Sequence, residues 1–295
     1  MYLVTVSLLF GRTCIDAIMP KEENMIRKSL IFIFAVLWLL SFGIVQAAEL
    51  TGRQVMEKQK ERHKVKSEIG SETMLLVDKD NNQEKRQVKR YAKEVGKDVH
   101  RYLVVFLGPA DIKGTALLTW EQKGRENDQW LYLPAQKKMQ RIAKGSKKNY
   151  FMGTDFTYED MEPEDINSFN YTILRTEQLN HDSKSYECYV IQAVPANDEK
   201  KRESGYSKRI MWIDKINLFT LKGEFYDRRD RLQKTQTSHS LENVGGTVWR
   251  PKKTMMNHHE KNHKTVTGVT SRKINLPVDD SVFTERFILS GKHTE

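Results

Sequence analysis

The feature that most constrains this chain is an alternation of apolar and polar residues with period two, beginning near Glu68 and continuing almost to the end. Successive side chains of a strand point to opposite faces, so this period marks half-buried β-strands. It predicts strands at Thr73–Val77, Lys85–Tyr91, Arg101–Leu107, Thr115–Glu121, Gln129–Leu133, Lys138–Ile142 and Asn170–Thr176. Further strands are predicted at Tyr186–Val194, Tyr206–Asp214, Phe219–Asp227, Leu232–Leu241, Thr247–Arg250, Lys253–His258 and Lys264–Lys273. Turn residues such as Asp80-Asn81-Asn82, Lys123-Gly124 and Gly245-Gly246 separate them.

Many short strands with tight connections predict an antiparallel meander, and such a sheet must curl or close to manage its edges. The expected fold is therefore mainly β, an open antiparallel barrel or curved sheet with a few covering helices. No βαβ alternation occurs, which argues against nucleotide-binding folds. One helix is predicted within Gly52–Lys66, with Val55, Met56 and Gln59 on one side. A second starts at Asp279 or Asp280, where a carboxylate suits a helix N-terminus, and carries Val282, Phe283 and Phe287 inward.

Two strands, Arg101–Leu107 and Ile210–Ile213, are apolar on both faces and need two covers. The predicted helices are too few to supply both. Two readings follow: a ligand cavity occupies one side, or crowded loops fill it.

Read from Met25, the start has Arg27 and Lys28, an apolar run Leu30–Leu40, and Val45-Gln46-Ala47 before Ala48. These are the parts of a secretory signal, with cleavage expected after Ala47. The run falls short of the ~20 apolar residues of a spanning helix. The expectation is a leader over 1–47, with Met25 as the true start, and a single domain over 48–295 in the periplasm. No cysteine follows the run to take an acyl chain. Cys14 lies in the leader, so Cys188 stands alone and reads as a small buried hydrophobe.

Lys and Arg number 49 against 39 Asp and Glu, a formal net charge of +10. The basic residues are dispersed and no nucleic-acid-binding motif accompanies them, so no nucleic-acid partner is expected. Attraction to an anionic membrane or acidic partner is one reading of the excess, and a solvated basic surface is the other.

His259-Glu260-Lys261-Asn262-His263 satisfies the H-E-x-x-H spacing of zinc peptidases, which works only on a helix, where i and i+4 share a face. Its β-prone flanks favour strand, turn, strand, leaving His258, His259 and His263 as candidates for adventitious metal only. The acids Glu159-Asp160 and Glu162-Pro163-Glu164-Asp165 suit a solvated loop or a basic partner better than paired-carboxylate catalysis. No G-x-S-x-G elbow, P-loop or C-x-x-C is present. The expectation is a protein without catalytic residues, resident metal or cofactor. Trp120, Trp130, Tyr132, Phe151, Phe156, Tyr158, Phe169, Tyr171, Met211, Trp212 and Phe225 are the candidates for lining a ligand cavity. Ordinary sheet core is the alternative for each.

The middle of the chain carries Trp130-Leu131-Tyr132-Leu133-Pro134, then Lys137, Lys138 and Arg141, then Phe151-Met152-Gly153-Thr154-Asp155-Phe156-Thr157-Tyr158-Glu159-Asp160. This run resembles the outer-membrane lipoprotein-sorting protein family related to LolA and LolB. Tyr186-Glu187-Cys188-Tyr189, Met211-Trp212-Ile213-Asp214 and the ending Leu276-Pro277 to Val282-Phe283-Thr284 add to the likeness. The resemblance implies an open barrel with helices as a lid over a hydrophobic cavity. It further implies a periplasmic carrier of lipids or lipid-modified proteins. The implied partners are acyl chains, an inner-membrane transporter of the RND type and an outer-membrane acceptor. A lipid- or peptide-binding sensor or adaptor is the alternative, and a zinc hydrolase using His259, Glu260 and His263 a third. An acyl chain crossing water must hide its methylenes, each worth about 0.8 kcal/mol when buried, and an apolar sheet does this without chemistry. Residues 52–66 are the expected lid.

Overall fold

Thirteen antiparallel strands join in one open sheet, ordered β6-β5-β4-β3-β2-β1-β13-β12-β11-β10-β9-β8-β7. The computed structural model describes residues 49–295, and Leu50–Glu295 forms one unit. The leader expected over residues 1–47 lies outside the described residues.

The strands are β1 (Ser67–Val77), β2 (Gln83–Gly96), β3 (Val99–Gly108), β4 (Ala116–Trp120), β5 (Asp128–Leu133), β6 (Lys138–Arg141) and β7 (Phe169–His181). There follow β8 (Lys184–Pro195), β9 (Tyr206–Asp214), β10 (Thr220–Asp227), β11 (Leu232–Gly245), β12 (Val248–His258) and β13 (His263–Ile274). Among the described residues the α-helices are α1 (Gly52–Arg62), α2 (Asp198–Glu203) and α3 (Glu285–Leu289). Among the described residues no helix is long and apolar enough to cross a membrane.

The chain makes two meanders that meet where β1 pairs with β13, in register Met74 to Thr267 and Leu76 to Thr265. This leaves β6 and β7 as the free edges, and the connection between them, residues 142–168, spans the whole sheet. On one face, called inner here, it lays Phe151 and Tyr158 on Met74, Leu76, Val88, Val104, Phe106, Leu117 and Leu131. The opposite, outer face of the same strands offers Leu103, Val105, Ala116, Leu118 and Tyr132, covered by Val278, Phe283 and Ile288 of the C-terminal segment. The two faces of β3 thus have two different covers, the 142–168 connection on the inner side and the C-terminal helical segment on the outer. A crowded loop, the second of the two readings of its apolarity, fills the inner side at this end.

The inner side of β9 carries Met211 and Ile213 under Val55 and Met56 of α1. Its outer side carries Trp212 into a cluster with Cys188, Val190 and Leu221. Burial pushes the Cys188 thiol up to about 12, so it stays protonated and unreactive.

Several boundaries differ from expectation. Thr247–Arg250 and Lys253–His258 are one strand, β12, running through Pro251. β13 pairs with β12 only from Lys253 onward, so the absent Pro251 amide leaves no β13 carbonyl waiting. The helix at 52 stops at Arg62, and the next residue, His63, is its C-cap and turns its ring to the Asn217 carbonyl in the β9–β10 connection. The C-terminal helix is split: Asp279 caps a 3-10 turn over Asp280–Phe283, and Thr284 caps α3.

Candidate ligand cleft beneath helix α1

Helix α1 has only a narrow apolar stripe, so its place on the sheet is fixed by its ends as much as by Val55 and Met56. At the start, Thr51 Oγ1 accepts from the Gln54 amide at 3.2 Å and Gln54 Oε1 accepts from the Thr51 amide at 2.9 Å, a reciprocal capping box. A Cβ on Gly52 would stand 2.8 Å from the Tyr171 carbonyl oxygen, so only glycine lets the helix start this close to β7.

At the far end, Trp249 N–H donates to His63 Nδ1 at 3.2 Å, which leaves the ring proton on Nε2. Nε2 lies 3.0 Å from both Asn217 O and Leu218 O and donates to them. Burial, with the charges of Arg250 and Arg62, lowers the His63 pKa and keeps the ring neutral. Arg62 donates to the Ile216 carbonyl at 2.7 Å, and Lys64 binds Asp98 at 2.6 Å and Glu94 at 2.9 Å.

Between α1, residues 163–167 and the inner ends of β1, β2 and β3 lies a cleft of about 580 Å³, a volume typical of small-ligand sites. Met56, Val65, Ala92, Tyr102, Ile166 and Phe219 give it apolar walls. Its polar groups are mostly paired. Glu68 receives Arg250 at 3.0 Å and Arg272 at 2.9 Å. The buried Glu121 receives His100 Nδ1 at 3.1 Å and Lys60 at 3.6 Å. Although burial alone would raise the Glu121 pKa, His100 and Lys60 bring it below the ordinary value. Burial raises the Tyr102 pKa, so its phenol is a neutral hydroxyl in the wall. Exposed Arg53, Glu57 and Glu61 stand on the α1 side.

A smaller cavity of about 190 Å³ is lined by Met56, Gln59, Arg209, Met211, Phe225 and Gln236 among others. Glu164 borders both cavities. It takes two bonds from Arg209, at 2.9 and 2.8 Å, and one from the Tyr171 hydroxyl at 2.5 Å. Burial acts to raise the Glu164 carboxyl, but the Arg209 guanidinium outweighs it and holds the acid below its ordinary value. Arg209 Nε is buried without a partner, and the Phe169 ring lies 4.2 Å from the guanidinium carbon.

The structure scatters the eleven cavity candidates. Trp120, Trp130 and Tyr132 pack with the C-terminal cover. Phe151 and Tyr158 of the 142–168 connection pack down on the inner face of the sheet, and Phe156 packs with Phe225 against Tyr206 and Met256. Phe169, Tyr171 and Met211 surround the base of α1, while Trp212 faces the outer cluster. Met211 and Phe225 line the smaller cavity, and none of the eleven lines the larger. What sequence reasoning missed is the charged set Glu68, Glu121, Glu164, Arg209 and Arg250. A signal existed for Arg209, which shares its strand face with Met211 and Ile213 by the period-two rule.

Glu159, Asp160, Glu162 and Glu164 are inward pins, a correction to the solvated-loop reading, while Asp165 stays exposed and caps the 3-10 turn Ile166–Ser168. Asp160 binds the fully buried Lys234 at 2.5 Å, Glu162 binds Lys147 at 2.6 Å, and Glu159 binds Lys200 at 3.4 Å. His259-Glu260-Lys261-Asn262 forms the turn between β12 and β13, with His263 opening β13, so the zinc-peptidase spacing lacks its helix. His258 contacts the Tyr150 hydroxyl at 2.7 Å, His259 the Thr235 hydroxyl at 2.8 Å, and His263 contacts Asp155 at 2.7 Å. The three rings therefore go to three separate partners.

A family model with the description "uncharacterized protein" matches residues 98–290. No curated protein matches the chain. A domain described as an outer-membrane lipoprotein-sorting protein from Vibrio parahaemolyticus superposes with a TM-score of 0.75 at 28% identity, covering 81% of this chain and 98% of its own. A DUF1329 family protein from Desulfovibrio piger gives 0.74 at 25%, covering 80% and 97%. A LolA superfamily protein from Nitrosomonas europaea gives 0.63 at 20%, covering 81% and 100%, a likeness of fold. The chain therefore belongs to the family of that model, and its open thirteen-stranded sheet is the fold of the outer-membrane lipoprotein-sorting and LolA-like proteins it resembles.

Proposed function

We propose that the protein is a periplasmic carrier that holds the acyl part of a lipid or lipid-modified protein in the cleft beneath α1 and passes it toward the outer membrane. The observation that carries this reading is the 580 Å³ cleft itself, set between a capped helix and the sheet in a lipoprotein-sorting fold. The walls mix apolar groups with paired charges, which suits an amphiphile with a polar head better than bare hydrocarbon. The donor is an inner-membrane transporter, of the RND type, and the acceptor lies in the outer membrane. Secretion by the signal ending at Ala47 belongs to the same proposal. No step requires bond making, so the protein acts by binding alone.

Release needs α1 to move from the sheet. Gln59 on α1 and Thr220 on β10 are hydrogen-bonded through their side chains at 3.0 Å, so cysteines at the two positions can be joined by a short reducible bifunctional thiol cross-linker. The test is mass spectrometry of lipid extracts from protein purified out of the periplasm, followed by transfer of the bound compound to acceptor membranes. A co-purifying acyl compound, retained in the cross-linked Gln59→Cys/Thr220→Cys variant and released when the linker is reduced, is the expected result. Protein that carries no amphiphile, or transfer that is indifferent to the cross-link, rules the carrier reading out.

A further inference from the structure

The tip of the β7–β8 hairpin reaches β11, although β8, β9 and β10 stand between β7 and β11 in the sheet. Strand pairing does not bring these two places together. Where they meet, His239 Nδ1 lies 2.7 Å from Asp182 Oδ1, and His181 Nε2 lies 3.9 Å from the same oxygen. The two imidazoles are 4.6 Å apart between centroids. One ligand atom from each of His181, Asp182 and His239 falls within 4.8 Å of the other two.

Asp182 and Ser183 form the two-residue turn between β7 and β8, whose type I′ geometry has positive φ at both, here 48° and 60°, and Ser240 in β11 is at 53°. Asp182 Oδ2 accepts from the Ser240 amide at 2.6 Å, which aims Oδ1 at the rings.

The geometry points to a divalent metal site of the zinc class at His181, Asp182 and His239, joining the hairpin tip to β11. Two imidazoles and one carboxylate are a ligand set that Zn²⁺ accepts, with a fourth position left for water. The proton balance is met by neutral rings. His239 Nε2 is 2.8 Å from the Thr237 hydroxyl, so its proton moves to Nε2, donates to that oxygen, and frees Nδ1 for the ion. His181 gives up its Nε2 bond to the Ser238 carbonyl, now 2.7 Å, and carries its proton on Nδ1 instead. The bound ion clips the free edge of the sheet over the outer cluster of Cys188, Val190, Trp212 and Leu221. This clip lies on the outer face and is independent of the cleft beneath α1.

The test uses the full chain without an affinity tag, stripped with EDTA and titrated with Zn²⁺ by calorimetry and thermal unfolding. One Zn²⁺ per chain and a raised Tm are expected, with the visible absorption of a tetrahedral site when Co²⁺ replaces Zn²⁺. His181→Ala and His239→Ala each weaken binding at least about tenfold, the scale set by loss of even an outer partner. Asp182→Asn keeps an acceptor for the Ser240 amide and gives the same loss in a chain whose fold is undisturbed. His259→Ala and His263→Ala leave binding unchanged. Absence of stoichiometric binding, or binding that survives His239→Ala and Asp182→Asn but is lost in His259→Ala, overturns the proposal.

Discussion

The two ends of the inner face are built from the same strands and do opposite things. At the Phe106 end, residues 142–168 fold onto the sheet, Phe151 stacks on Phe106 at 5.5 Å, and polar groups are neutralised in buried pairs. At the His100 end of the same β3, only a helix with two buried apolar residues and its end bonds stands over the sheet, and a cleft remains. The difference teaches that this fold does not hold an uninterrupted oily hollow. Half of the inner face is core, and the half left open is bordered by charge.

Experiments can break that contrast. At the filled end, Lys234 is fully buried, bonded to Asp160 at 2.5 Å and to the Asp155 carbonyl at 3.0 Å, with the Tyr206 ring 5.0 Å away. Lys234→Met leaves Asp160 uncompensated and costs about 3–5 kcal/mol in denaturant unfolding, whereas Lys234→Met with Asp160→Asn recovers much of it. Phe151→Ala costs about 3–5 kcal/mol by the cavity it leaves. A loss under about 1 kcal/mol in either would mean the connection is loosely held and the ends alike.

At the open end Met56→Ala is expected to cost less, about 2 kcal/mol, because its space merges with the cleft. The same variant should change binding of the co-purified amphiphile, which Phe151→Ala should not. Equal effects on binding would erase the distinction.

The smallest effect is pH-dependent. His63 has its folded pKa below the ordinary value, so its contribution to stability is fully present above the unfolded pKa of about 6.5 and is lost as pH falls toward the folded value. Acidification below about pH 6.5 should therefore weaken the anchoring of α1, seen as faster exchange of the Trp249 amide, and His63→Asn should flatten that dependence. An unchanged profile in the variant would remove His63 from the anchor.

Much of the fold was legible because period two survives wherever one face is buried. The strand Tyr206–Asp214 has the expected bounds, and the boundaries of β3, β5 and β13 shift by one or two residues. The cleft was less legible. The apolar and aromatic residues that seemed to belong to a cavity are those most easily covered by the chain itself, so Trp120 and Phe151 became core. The groups that border the opening, Glu68 with Arg250 and Glu164 with Arg209, are pairs distant in sequence, and charge alone does not announce its partner.

Local rules therefore determined the strands and the helical start at Asp279, because side-chain alternation and turn chemistry act over a few residues. Only the tertiary structure decided which cover lies on which face, because one long connection must cross from edge β6 to edge β7 and its path depends on the whole sheet. That path, pinned by Asp160 on Lys234, fills one end and leaves the other open.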